Sequence, residues 1–238
     1  VGIILGTDEK SGLKTSPGST FEYSNYGYAI AGALLEHAGD ASWEDMLRTR
    51  LFEPLGMSSA GFNSPLRAEE LIASAAPRGH RVSVGNVTIV EPAVGVENPR
   101  CTGPAGSVFM TISDLARYGA YHLRGTVGHT GPDAERTLMP AEIFDALHTD
   151  EIGQGYAMGW IVREQQGEPM FWHNGSIGGW NYAAVLIWPQ RDLVIAFCAS
   201  IGPEVADPAV GMIVQEVLKD HPKIESKDAP KQATPAAE

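Results

Sequence analysis

Two short stretches hold side chains able to move a proton or hold an acyl group. In Glu22-Tyr23-Ser24-Asn25, which follows a Pro17-Gly18 turn, a phenol and a carboxamide bracket a serine just before a helical pattern. Such a turn sets Tyr23 at a corner of the chain. A tyrosine acts as a general base only where a neighbouring cation lowers its pKa from about 10. The local alternative is plain aromatic packing, with Ser24 or Asn25 capping the helix. The second stretch, FWHNGSIGGWN over 171–181, closes a strand-like run on His173, and Gly175, Gly178 and Gly179 let the backbone approach a ligand. Its local alternative is a glycine-rich hairpin with a half-buried histidine. Ser176 does not fit the nucleophile elbow G-x-S-x-G, because Asn174 stands where a glycine is needed and no helical pattern follows.

The elements that must carry these residues follow from the spacing of apolar side chains. Tyr26, Ala29, Ile30, Ala33, Leu34 and His37 recur at three- and four-residue steps, which predicts a helix with that face inward, stopped by Gly39. Ser42 and Asp45 form a capping pattern before MLRTRLF, and Pro54 and Gly56 end that segment. Residues 57–105 are rich in Gly, Pro, Ser and Ala and read as a loop-rich lobe, with a strand or hairpin in HRVSVGNVTIVEP. Thr111 and Asp114 announce a helix over LARYGAYHL, and Pro140 opens AEIFDALH at a first helical position.

Beyond Gly153 the period changes. YAMGWIVRE, PMFWHNG, YAAVLIWP and DLVIAFCAS are short runs divided by turn residues, an antiparallel meander of about four strands. A helical pattern returns over 208–219. Helices, then a sheet, then a covering helix is α+β organisation, an antiparallel sheet with packed helices plus a helical and loop-rich lobe. Residues 1–218 are expected to form one domain and 219–238 a disordered tail without aromatics or periodicity.

With 238 residues, 43% of them hydrophobic and 19% charged, the chain can bury a sizeable core. A formal net charge of -12 without clustered Lys or Arg argues against nucleic acid as a partner. No apolar stretch approaches the roughly 18 residues of a spanning helix. Cys101 and Cys198 are read as two separate buried thiols rather than a pair.

Taken in order, PGSTFEYSNYGYAIAG, GPAGSVFMTISDLARYG and GYAMGW followed by WHNGSIGGWN and DLVIAF resemble the serine β-lactamase and penicillin-binding-protein superfamily. The branch they resemble holds class C β-lactamases, DD-peptidases and related esterases. The resemblance runs over about residues 15–218. It implies a β-lactamase/transpeptidase-like fold and three site elements: S-x-x-K opening a buried helix, Y-x-N on a loop, and K-T-G or H-x-G on a strand. Tyr23-Ser24-Asn25 matches the second and His173-Asn174-Gly175 the third. By that matching Tyr23 moves the proton of nucleophile and leaving group, and Asn25 orients substrate and the lysine. His173 replaces the usual strand lysine, while the strand at Gly175 offers the Ser176 N–H to the oxyanion. The resemblance implies an ester, amide, β-lactam or peptidoglycan peptide as substrate, no cofactor and no metal, and a periplasmic or extracellular location.

The first element is missing. Ser11-Gly12-Leu13-Lys14 is a formal match, but it lies too close before Tyr23, and EKSGLKTSPG, with two glycines and a proline, cannot sustain a helix. The nucleophile, its lysine and further strands are therefore expected upstream of Val1, and the fold to be N-terminally incomplete. The side they would cover is then open to oligomer contacts. The alternative function is a binding or regulatory module that holds a cell-wall fragment without turning it over.

Overall fold

The structure, a computed structural model, describes residues 18–62, 77–91, 99–127 and 138–224. The Ser11–Lys14 match, much of the loop-rich lobe and the tail beyond residue 224 lie outside the described residues.

The main sheet is built around a strand that can be buried on both faces. β5 (Ile161–Gln165), β6 (Glu168–Gly175), β7 (Tyr182–Trp188) and β8 (Leu193–Ala199) make an antiparallel sheet in the order β5-β6-β7-β8. Along β7, Tyr182, Ala184, Leu186 and Trp188 face a helix that supplies Ala206, Val210, Val214 and Leu218. Val185 and Ile187 point the other way, onto Leu123, Trp160 and Phe171. Covering on both sides makes the run YAAVLIW continuous rather than alternating. The covering helices are α3 (Ile112–Val127) and α5 (Pro203–Asp220), with α4 (Ala141–His148) beside α3. Gly119 lets α3 close on the sheet, since a side chain there would run into Val194 and Val185. The chain continues past α5, where the Ile224 amide donates to the Gln190 carbonyl at 3.0 Å.

The remaining elements lie toward the N-terminus. α1 (Asn25–Gly39) is followed by α2 (Trp43–Leu47), a π-helical turn (Arg48–Phe52) and one α-helical turn (Glu53–Leu55). The two-residue strands β1 (Gly61–Phe62) and β4 (Val108–Phe109) pair, and β2 (His80–Ser83) forms a hairpin with β3 (Asn86–Ile89). The capping of α2 follows the sequence: Ser42 Oγ accepts from the Asp45 amide at 3.1 Å.

Several local expectations are corrected. The strand expected over YAMGWIVRE begins only at Ile161, because Ala157 N donates to Trp160 O at 2.8 Å and turns the chain, leaving Tyr156 on an isolated bridge to Ile161. Pro140 is the N-cap of α4, one position earlier than expected. Both thiols are free, but exposed rather than buried; Cys198 lies on β8, at the sheet's edge. In α1 the buried residues are Ala29 and Gly32, while Tyr26 and Leu34 are exposed. The reason is close packing through small residues: a side chain at Gly32 would collide with Pro104. The helix thus turns a narrow face inward and leaves its larger apolar residues outside.

A buried histidine pair lies between α3 and α4. Thr126 Oγ1 donates to the His122 carbonyl at 2.8 Å, so its oxygen accepts from His148 Nδ1 at 3.1 Å. His148 Nε2 is left to accept His122 Nδ1–H at 3.1 Å, and both rings are neutral. Burial lowers His122 to about 3, with a further push from His148, and lowers His148 to about 4. These folded values lie below the unfolded value of about 6.5, so the unfolded chain binds more protons as pH falls. The pair's contribution is complete above about 6.5 and is lost progressively below it, at up to about 1.4 kcal/mol per pH unit for each ring. Melting temperature is expected to fall between pH 6.5 and 4.5, and His148→Gln should flatten that slope. A wild-type melt independent of pH in this window would contradict the neutral pairing.

Candidate active site

β6 outruns its neighbour, and this exposes the site. β5 pairs with β6 only as far as Trp172, whereas β7 continues alongside through His173, Asn174 and Gly175. One edge of those three residues is therefore unpaired by β5. The following turn is built on glycine: Gly178 and Gly179 take φ of 58° and 76°, and a side chain at Gly178 would collide with the Trp180 ring. Asn181 Oδ1 ties the turn by accepting from the Ile177 amide at 2.7 Å.

Tyr23 reaches the same place from α1. Ser24 is the N-cap, its hydroxyl accepting from the Gly27 amide at 3.1 Å, which starts the helix at Asn25 and leaves Tyr23 just outside it. Tyr23 is 51% exposed. Its ring lies 6.2 Å from that of His173 at an interplanar angle of 31°.

Both rings line one cleft of about 460 Å³, with Phe21, Tyr156, Arg163, Gly175 and Ser176 among its walls. Of the residues expected from sequence, Tyr23, His173, Gly175 and Ser176 meet here. Asn25 does not line the cleft; it is the exposed first residue of α1. Asn174 turns its side chain to the α5 side of the sheet, where Nδ2 donates to Asp207 Oδ1 at 3.1 Å and Tyr182 donates to the same oxygen at 2.6 Å.

The imidazole of His173 hydrogen-bonds to Tyr156 and to its own strand. Nε2 lies 3.1 Å from the Tyr156 hydroxyl and Nδ1 2.6 Å from the Asn174 carbonyl oxygen. Tyr156 in turn lies 3.4 Å from the Tyr28 hydroxyl and stacks on Phe21 with ring centroids 4.3 Å apart. Burial, then the Tyr28 hydrogen bond, push the Tyr156 phenol well above its usual range. Sequence reasoning missed Tyr156, Phe21 and Arg163. Gly155, with φ of 81°, bends the chain just before Tyr156. The Arg163 guanidinium packs on that glycine and makes no ion pair among the described residues.

The arrangement offers a phenol and an imidazole over an accessible strand edge, with backbone N–H groups beside them and one guanidinium in the wall. That suits proton transfer at a carbonyl whose oxygen is held by the backbone. Among the described residues no group of three or more His, Cys, Asp or Glu could hold a metal ion, and no helix is long and apolar enough to cross a membrane.

Comparison with known proteins agrees in class. The family described as "Beta-lactamase" matches residues 9–217, and the chain belongs to that family. It is 31% identical over 197 residues to penicillin-binding protein 4 of Amycolatopsis lactamdurans, covering 80% of this chain and 50% of that protein. It therefore spans about half the length of that relative. Among solved structures, the octameric penicillin-binding protein homologue from Pyrococcus abyssi has a TM-score of 0.61 at 21% identity, over 84% of this chain and 44% of that one. The D-amino acid amidase from Ochrobactrum anthropi SV3 complexed with L-phenylalanine amide has a TM-score of 0.64 at 16% identity, over 89% and 63% of the two chains. At these identities the structures share the fold. The family match supports a serine-hydrolase-like function at family level.

Proposed function

We propose that this chain carries the Tyr-x-Asn and His-x-Gly elements of a serine hydrolase that cleaves an ester, amide or β-lactam through an acyl-enzyme, and that the attacking serine precedes Val1. The observation that carries the reading is the convergence of Tyr23 and His173, from distant parts of the sequence, on one cleft at 6.2 Å between rings. In the proposed reaction Tyr23, held as phenolate by the lysine of the S-x-x-K element, takes the hydroxyl proton while the serine oxygen bonds to the substrate carbonyl carbon. The Ser176 N–H donates to the resulting oxyanion, the bond to the leaving group breaks, and Tyr23 returns the proton to it. Asn25, outside the cleft at the start of α1, is left to orient the lysine of the missing element, and His173 stands in place of a strand lysine. Arg163, which has no carboxylate partner among the described residues, suits a substrate with an anionic group.

The α1 surface supports a further segment over this site. Glu36 is the single Asp, Glu, Lys or Arg in α1, and it faces inward, accepting from the Trp43 amide at 3.2 Å. Outward stand Tyr26, Leu34 and Leu35, at 63%, 64% and 58% exposure. A helix apolar on both sides is built to be covered on both. The rest of the hydrolase fold suits that surface, and a second copy of the chain would be held there only in its absence.

The 238-residue chain alone is expected to hydrolyse neither nitrocefin nor p-nitrophenyl acetate above background. A form that adds an S-x-x-K helix should hydrolyse at least one of a panel of activated esters, amides and β-lactams. Turnover by the chain alone would place the nucleophile within it, and binding without turnover by the longer form would favour the binding-module alternative.

A further inference from the structure

We propose that Tyr156, backed by Tyr28, is the positioning residue for His173: a hydroxyl relay that keeps both imidazole nitrogens hydrogen-bonded in either protonation state. The proposal rests on the reading of His173 as part of the site, and it follows from which atoms can donate. The Asn174 carbonyl oxygen only accepts, so Nδ1, 2.6 Å from it, carries a hydrogen in either state. Nε2 is then the nitrogen at which a proton arrives or leaves, and its partner is the Tyr156 hydroxyl at 3.1 Å.

A hydroxyl both donates and accepts. With the ring neutral, Tyr156 donates to Nε2, and its oxygen accepts from Tyr28 at 3.4 Å. With the ring protonated, Nε2–H donates to the Tyr156 oxygen, and the Tyr156 hydrogen turns to Tyr28. Two O–H rotations replace the loss of a hydrogen bond. A carboxylate in the place of Tyr156 would pin the charged ring, and an apolar residue would leave Nε2 without this partner.

The relay is held in place from several sides. Phe21 stacks on Tyr156 with an interplanar angle of 21°, and its own amide donates to Gln154 Oε1 at 2.9 Å. The turn from Ala157 to Trp160 fixes the backbone after Tyr156, with Trp160 buried among Phe171, Val185 and Ile187. Tyr23 meets the Tyr156 ring edge-on, with centroids 6.2 Å apart at 81°. Both nitrogens of His173 are thereby engaged, and its relation to Tyr23 is ring contact. Burial also keeps the Tyr156 phenol protonated across the ordinary pH range.

The test uses the chain itself, free of substrate. Nitrogen-15 NMR is expected to find neutral His173 with its hydrogen on Nδ1. Ethoxycarbonylation by diethylpyrocarbonate, mapped by mass spectrometry, is expected to be about tenfold faster at His173 in Tyr156→Phe, because the Nε2 lone pair loses its donor. Tyr28→Phe, which keeps that donor, should raise the rate only about two- to threefold, and His37 and His221 serve as internal references. Neutral His173 with its hydrogen on Nε2 in the wild type overturns the relay even if Tyr156→Phe does not fold. Equal modification rates in a folded Tyr156→Phe overturn it too. If the chain behaves as expected but a serine-bearing form keeps full kcat with Tyr156→Phe and with His173→Gln, the relay stands and the catalytic reading of His173 falls.

Discussion

Tyr23→Phe, in a form of the protein that carries the attacking serine, is expected to lower kcat and kcat/KM together by about 10²–10⁴-fold. The hydroxyl would act only while the proton moves, so ground-state binding should change little. The substitution removes one exposed oxygen from a ring that is 51% accessible, and Ser24 still caps α1 through the Gly27 amide. Melting temperature should therefore hold. Steady-state kinetics with thermal melts check the expectation. A folded variant with near-normal kcat would return Tyr23 to an aromatic contact with His173 and Tyr156.

Glu168→Ala is expected to cost about 3–5 kcal/mol of unfolding free energy. Glu168 is fully buried, and its carboxylate receives Arg191 in two bonds, Nε at 2.9 Å and Nη2 at 2.6 Å. The same guanidinium donates from Nη1 to the Leu218 and His221 carbonyls, closing the C-terminal end of α5. Removing the carboxylate leaves a buried cation whose remaining partners are mostly neutral carbonyls. Replacing both partners with methionine should cost much less, because no charge is then stranded. Urea unfolding of the three proteins decides it; a single Glu168→Ala variant within about 1 kcal/mol of wild type would show the pair to be dispensable.

What the sequence made legible followed period and punctuation. The four-strand meander was readable because QQGE, SIGGWN and QR divide the apolar runs, and the strand ends fall near those turns. Tyr23 and His173 were singled out by the family resemblance, since local sequence alone offers a packed aromatic and a hairpin histidine. Periodicity could not say how α1 is covered: of the expected stripe Ala29 is buried, beside Gly32, while Tyr26 and Leu34 stay outside. Tyr156 looked like an ordinary strand residue. Its partners, Tyr28 and His173, come from α1 and β6, and local sequence holds no trace of a contact made across the fold. Arg163 was hidden for the same reason: an exposed arginine on β5 reads as solvent-facing until the cleft is seen to pass over it.

The measurement that bears most directly on the central claim is mass-spectrometric mapping of the adduct left by a slowly released acyl donor, such as a fluorescent penicillin or an activated ester. No adduct is expected on the 238-residue chain. In the serine-bearing form one adduct is expected, on the serine of the S-x-x-K element, and its formation should slow sharply with Tyr23→Phe. Stoichiometric acylation of Ser11, Ser24 or Ser176, or an upstream adduct that forms at an unchanged rate in Tyr23→Phe, would contradict that claim.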